Sequence, residues 1–159
     1  MRNEPMLNAR GETWANDAKA ALVLWYAAVF YTVAWAIHTG DHLRRGLGVV
    51  SIEVAVLGSV AAVLQLLAVS AVFLRWRWAA IAAAAVGFPD AVGIAAVHLL
   101  PHWSSFSDAF PGAHGTGVNA FSWFAAIIEI VGALAFGAAG VYAVRRSSAT
   151  GGRVGTVSA

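Results

Sequence analysis

Four apolar runs set the limits on what this chain can become. They cover about 20–38, 49–74, 79–100 and 118–144. Each is long enough to cross a bilayer as a helix, which takes roughly 20 residues. A water-soluble fold would need a hydrated surface over these runs. With 60% hydrophobic and 11% charged residues, the chain has too few charges to supply one. A lipid bilayer is the expected surrounding. The expected fold is all-α, an integral membrane antiparallel four-helix bundle with short connections. Its 159 residues make most simply one domain.

The polar flanks read as a cytoplasmic N-terminal tail at 1–18 and a disordered, Gly/Ser/Thr-rich cytoplasmic tail at 145–159. The first flank contains acids, and no small-residue cleavage pattern follows the first apolar run. That run is expected to stay as helix one rather than leave as a signal peptide. Lys and Arg distribute unevenly around the runs. Arg2, Arg10, Lys19, Arg75, Arg77, Arg145, Arg146 and Arg153 fall on one side, and only Arg44 and Arg45 on the other. Positive-inside bias therefore puts both termini in the cytoplasm (N-in/C-in) of a multi-pass cell-membrane protein. Trp76, Trp78 and Tyr142 then mark the inner interface, and Trp35, Trp103 and Trp123 the outer one. The sequence pI near 9.5 comes from these flanking charges, so nucleic acid is not an expected partner. Small residues four apart, Gly87/Ala91 and Ala133/Gly137, allow close helix contact.

The chain has no cysteine, which excludes disulfides, thiolate nucleophiles, Cys-type zinc sites and iron–sulfur clusters. Met1 and Met6 are its only methionines, so a Met-rich Cu(I) site is not expected either. What remains for chemistry is one-sided. His38, His42, His98, His102 and His114 all fall at the outer side, and Asp41, Glu53, Asp90, Asp108 and Glu129 lie there or deeper. Five acids against two arginines favour cations.

His38/His42 and His98/His102 are each spaced i, i+4, so each pair can face one way on a helix. Helices one and three cross in the same direction, which brings both pairs to similar depth. These four histidines are the candidate metal ligands, for Zn, Mn, Fe or Cu(II). Glu53 is a candidate oxygen ligand or base, and Asp41 or Asp108 can ligate or orient a ring. Haem, with His38 and His98 as axial ligands, ranks behind a divalent ion. The competing interpretation is that these are interface histidines, and that Pro101 breaks the helix before His102 completes its pair.

Asp90 and Glu129 stand near the middle of helices three and four. A mid-membrane acid costs about 2.5–3.5 kcal/mol on insertion scales, which marks both as functional candidates. Pro89 removes a backbone hydrogen bond beside Asp90 and frees the Ala85 carbonyl. The two acids can share a proton, or simply be hydrogen-bonded to Gln65, Ser or backbone. In the third loop, Trp103, Phe106 and Phe110 fall on one face of a short amphipathic helix.

Three functions follow. The first is a small polytopic membrane protein with a His/carboxylate metal site near the extracytoplasmic face, with Glu53, Asp90 and Glu129 as candidate catalytic groups. The second is a proton-coupled carrier using Asp90 and Glu129. The third is a non-catalytic subunit of a larger membrane complex. A homo-oligomer is compatible with each.

Overall fold

A computed structural model describes the backbone of residues 4–154 and the side chains of residues 18–46 and 48–148. It is all-helical, with α1 over Glu4–Arg45, α2 over Ile52–Phe73, α3 over Ala79–Ile94 and α4 over Ala120–Val154. A 3-10 turn, Leu47–Val49, precedes α2, and a π turn, Ala95–Leu99, continues α3. Stretches long and apolar enough to cross a membrane run over Ala18–Arg45, Ile52–Phe73, Ala79–Leu99 and Ala120–Ser148. The expected tails at 1–18 and 145–159 fall largely outside the residues described with side chains, while the α4 backbone stays helical through Arg145 and Arg146.

Contacts between helices fix their directions. Tyr31 stacks on Phe136, His38 bonds Glu129, and Arg44 bonds Ser122. Numbers that rise along α1 fall along α4, so the two are antiparallel. The same holds for α3 and α4, where Gly87 meets Ala133 and Gly137, and Gly140 meets Ala80 and Ala84. The end of α1, the start of α2, the end of α3 and the start of α4 therefore gather at one end of the bundle, hereafter the histidine end.

The interior is built from small residues. Ala28, Ala34, Ala83, Ala125, Ala126 and Ala133 are fully buried, whereas Leu22, Val56, Leu57, Val60, Val63 and Ile81 point outward. A bundle in lipid has no hydrophobic drive between helices. It associates through close backbone packing at small residues and leaves its large apolar groups to the acyl chains. Gly87 and Gly140 take this furthest. A methyl group on Gly87 would stand 2.5 Å from the Ala133 carbonyl, and one on Gly140 would stand 2.5 Å from that of Ala80. Such overpacking typically costs about 1–3 kcal/mol, so the α3–α4 crossing depends on both glycines.

Local chemistry sets the helix ends. α1 passes through Gly40, a tolerable loss of about 1 kcal/mol, and stops at Gly46, whose φ of 92° only glycine adopts freely. Ser51 caps α2 by accepting from the Val54 N–H at 3.1 Å. Asn119 caps α4, its Oδ1 accepting from Phe121 N at 2.9 Å. Leu100 is extended, as the residue before Pro101 should be, and ends the α3 segment.

Candidate metal centre at the histidine end

Because α1 continues to Arg45 rather than ending at residue 38, Asp41, His42 and Arg45 are helical residues with fixed directions. His38 and His42 lie one turn apart on the same face, with ring centroids 4.8 Å apart. α3 supplies the third ring. Its last turn widens to π geometry over Ala95–Leu99, and His98 in that turn is buried. Its ring lies 4.8 Å from that of His38 and 5.4 Å from that of His42. One ligand nitrogen from each of the three lies within 4.8 Å of the other two. Ligands at 2.0–2.1 Å around a tetrahedral zinc are about 3.4 Å apart. Small side-chain rotations thus separate this geometry from a closed site.

The far sides of the His38 and His98 rings are held by hydrogen bonds. His38 Nδ1–H donates to Glu129 Oε2 on α4. His98 Nδ1–H donates to the Asp108 carbonyl at 3.1 Å, and His42 Nδ1 faces Asp108 Oδ2 at 4.0 Å. A hydrogen bond at one ring nitrogen fixes the tautomer and leaves the other as the free base. His38 Nε2 is buried with no hydrogen-bond partner among the described residues. A buried unpaired acceptor is costly unless something takes its lone pair.

The third loop reaches this position through backbone groups the π turn leaves open. Asp108 N donates to Val97 O at 3.1 Å and Phe110 N to His98 O at 2.9 Å. The loop thereby returns along the end of α3. Phe110 packs on His98 with ring centroids 4.7 Å apart, and the Asp108 carboxylate enters the group. Arg45 clamps that carboxylate in bidentate fashion, at 2.7 and 2.6 Å, while its Nε donates to Thr116 O at 3.1 Å. Burial pushes the Asp108 carboxyl up. The hydrogen bonds and charge of Arg45, with His98 and His42 beside it, outweigh burial and hold it below the usual carboxylate range.

Deeper in the bundle, Asp90 and Glu129 are linked through Gln65. Gln65 Nε2 donates to Asp90 Oδ1 at 2.7 Å and to Glu129 Oε1 at 3.4 Å. Tyr31 donates to Asp90 Oδ2 at 2.7 Å. Polar side chains thus run from Tyr31 through Asp90, Gln65 and Glu129 to His38.

Three of the four expected histidines come together; His102 does not. It follows Pro101, outside the helix, and is exposed, as is His114. Glu53 is half-buried in the first turn of α2, outside the histidine group. Asp41 is fully buried, with Oδ1 accepting from Arg44 Nε at 2.9 Å. Trp103, Phe106 and Phe110 do not form one face of a helix, because 100–119 contains turns only. Pro101 and Pro111 interrupt the segment. Between them Ser107 Oγ accepts from Trp103 N at 3.1 Å and Ser104 Oγ from Phe106 N at 3.1 Å, so side chains take donors a helix would use.

Arg45 and Tyr31 are the residues sequence reasoning missed. Arg45 looks like a topology charge, and only its position one turn beyond Asp41 hinted at an inward face. Nothing in the spacing singles out Tyr31. No protein-family model, no curated protein and no solved structure matches the chain.

Proposed function

We propose that this chain is a multi-pass protein of the cell membrane that holds one divalent transition metal on His38, His42 and His98. Its termini lie in the cytoplasm and its histidine end faces outward, following the Lys/Arg asymmetry. The observation that carries the proposal is the buried Nε2 of His38, unpartnered among the described residues, beside two further imidazoles whose Nδ1 atoms face Asp108. Imidazole donors suit Zn, Fe, Cu(II) and, with carboxylate nearby, Mn. Three protein ligands leave a coordination position for water or substrate, the pattern of catalytic rather than structural zinc. A metal bound there would act as a Lewis acid or activate water near neutral pH. Glu129 and Asp108 orient the rings and raise their basicity.

Detergent-purified protein from metal-supplemented growth is expected to carry near-stoichiometric metal. Glu129→Gln removes the carboxyl group behind His38 and should weaken metal affinity by about 10–100-fold, read by competition with a chelator. Metal-free wild-type protein with no tight binding on titration would overturn the proposal.

A second reading, a proton-coupled carrier, is favoured by the Gln65 link between Asp90 and Glu129. Its test is a pH-dependent flux lost in Asp90→Asn. Flux unchanged by that substitution sinks it.

A further inference from the structure

We propose that the turn between α2 and α3, Arg75-Trp76-Arg77-Trp78, is a binding site for the phosphate headgroup of an anionic phospholipid. The proposal rests on the bilayer reading of the four helices. It is independent of the histidine metal, which belongs to the opposite end of the bundle.

The turn takes a shape its residues do not favour. Trp76 N donates to Ala71 O at 2.9 Å and Arg75 N to Val72 O at 3.1 Å, the pair of bonds that closes a helix in a Schellman motif. Arg75 holds the left-handed position of that motif, with φ 56°. Glycine fits there without strain, and every other positive φ among the described residues belongs to a glycine: Gly46, Gly112, Gly115 and Gly117. Strained positions of this kind cluster at ligand clamps. Here the strain places a guanidinium at the tip of the turn.

Charge gives the site its sign. Arg75 and Arg77 are exposed, and no carboxylate pairs with either among the described residues. The sequence has no acid between Glu53 and Asp90. Lys19 on α1 and Arg145 and Arg146 on α4 stand at the same end, so the charged side chains described there are all basic. Such a surface attracts anions. Arginine also presents a planar fork that matches two phosphate oxygens at once.

The aromatic surroundings make the anion a lipid. Trp76 and Trp78 lie with ring centroids 5.0 Å apart, and with Arg77 they line an open depression of about 320 Å³. Indole rings settle at headgroup level in a bilayer, which sets Arg75 and Arg77 beside the lipid phosphates. Phe73, Leu74 and Ile81 stay exposed next to the turn, and Trp25 of α1 meets Phe73 edge-on at 6.1 Å. Acyl chains can lie against that apolar wall while the headgroup meets the arginines. Basic pockets at the ends of membrane helices hold anionic headgroups in this manner. A free phosphate would use the arginines alone.

The test uses the full chain in a neutral detergent, titrated with phosphatidylglycerol or with phosphatidylcholine of the same acyl chains. Native mass spectrometry and thermal melting read the binding. Phosphatidylglycerol is expected to bind more tightly and to raise the melting temperature further, by a margin that shrinks with added salt. Arg75→Gly and Arg77→Gln should each weaken its binding roughly fivefold, the share of one basic residue near a lipid surface. Arg75→Gly should also melt no lower than wild type in detergent alone, because glycine relaxes the turn. A purely structural arginine would show no loss of lipid affinity in that variant. Equal binding of the two lipids overturns the proposal, as does a preference unchanged in the Arg75→Gly/Arg77→Gln double variant. An equal loss in Lys19→Gln would reduce the site to a general field and overturn it. So would inorganic phosphate that matches the lipid, or a dimer of the chain that covers the turn and excludes it.

Discussion

Arg45→Ala is expected to destabilise the bundle by about 3–5 kcal/mol, the range for removing one partner of a buried ion pair. The Arg45 side chain is fully buried, clamps both Asp108 oxygens, and lies over the Phe110 ring at 5.4 Å. Its loss leaves Asp108 charged and enclosed, and frees the loop that carries Phe110. Arg45→Lys should recover only part of the loss, because an ammonium cannot reproduce the two-pronged contact. The sign of the pH dependence follows from Asp108. Its folded-state pKa lies below the unfolded value of about 3.9, so its contribution is complete above that pH and fades as pH falls through the folded value. The Asp108 contribution in wild type should therefore be constant near neutrality and fade below about pH 4, while in Arg45→Ala burial acts on Asp108 unopposed by the guanidinium, so the gap between the two narrows as pH falls toward that range. Thermal melting across pH reads both. A loss below about 1 kcal/mol, typical of surface pairs, would contradict the clamp.

His98→Ala is expected to abolish stoichiometric metal, and His102→Ala to leave it intact. Both residues belong to one HxxxH pair in the sequence, so the contrast separates spacing from geometry. His98 has a held ring, a buried position and two imidazole neighbours. His102 is exposed beyond Pro101. Elemental analysis of both variants, each checked for folding by its melting curve, reads the outcome. Equal metal content in wild type and His98→Ala would remove His98 from the ligand set.

Much of this was visible in the sequence. Apolar runs of about 20 residues dictate helices in lipid, where backbone groups have no other partners. The small-residue positions Gly87, Ala133 and Gly137 do meet at the α3–α4 crossing. His38, His42 and His98 were legible because helical periodicity and crossing direction put them at one depth. Other features depend on competition that periodicity does not record. Gly40 and Gly46 look alike as stop signals. Only Gly46 ends α1, and that choice makes Arg45 a buried clamp rather than a loop charge. The π turn that carries His98 has no signature in a run of alanines and valines. In the third loop, aromatic spacing suggested a helix, but two prolines and the serine hydroxyls of Ser104 and Ser107 prevailed.

X-ray absorption on the metal-loaded wild-type protein tests the central proposal most directly, because it counts imidazole ligands around the metal. Three histidine nitrogens, at about 2.0–2.1 Å if the metal is zinc, with one further light-atom ligand, are the expected result. A coordination shell without imidazole, or protein that cannot be loaded, would contradict it.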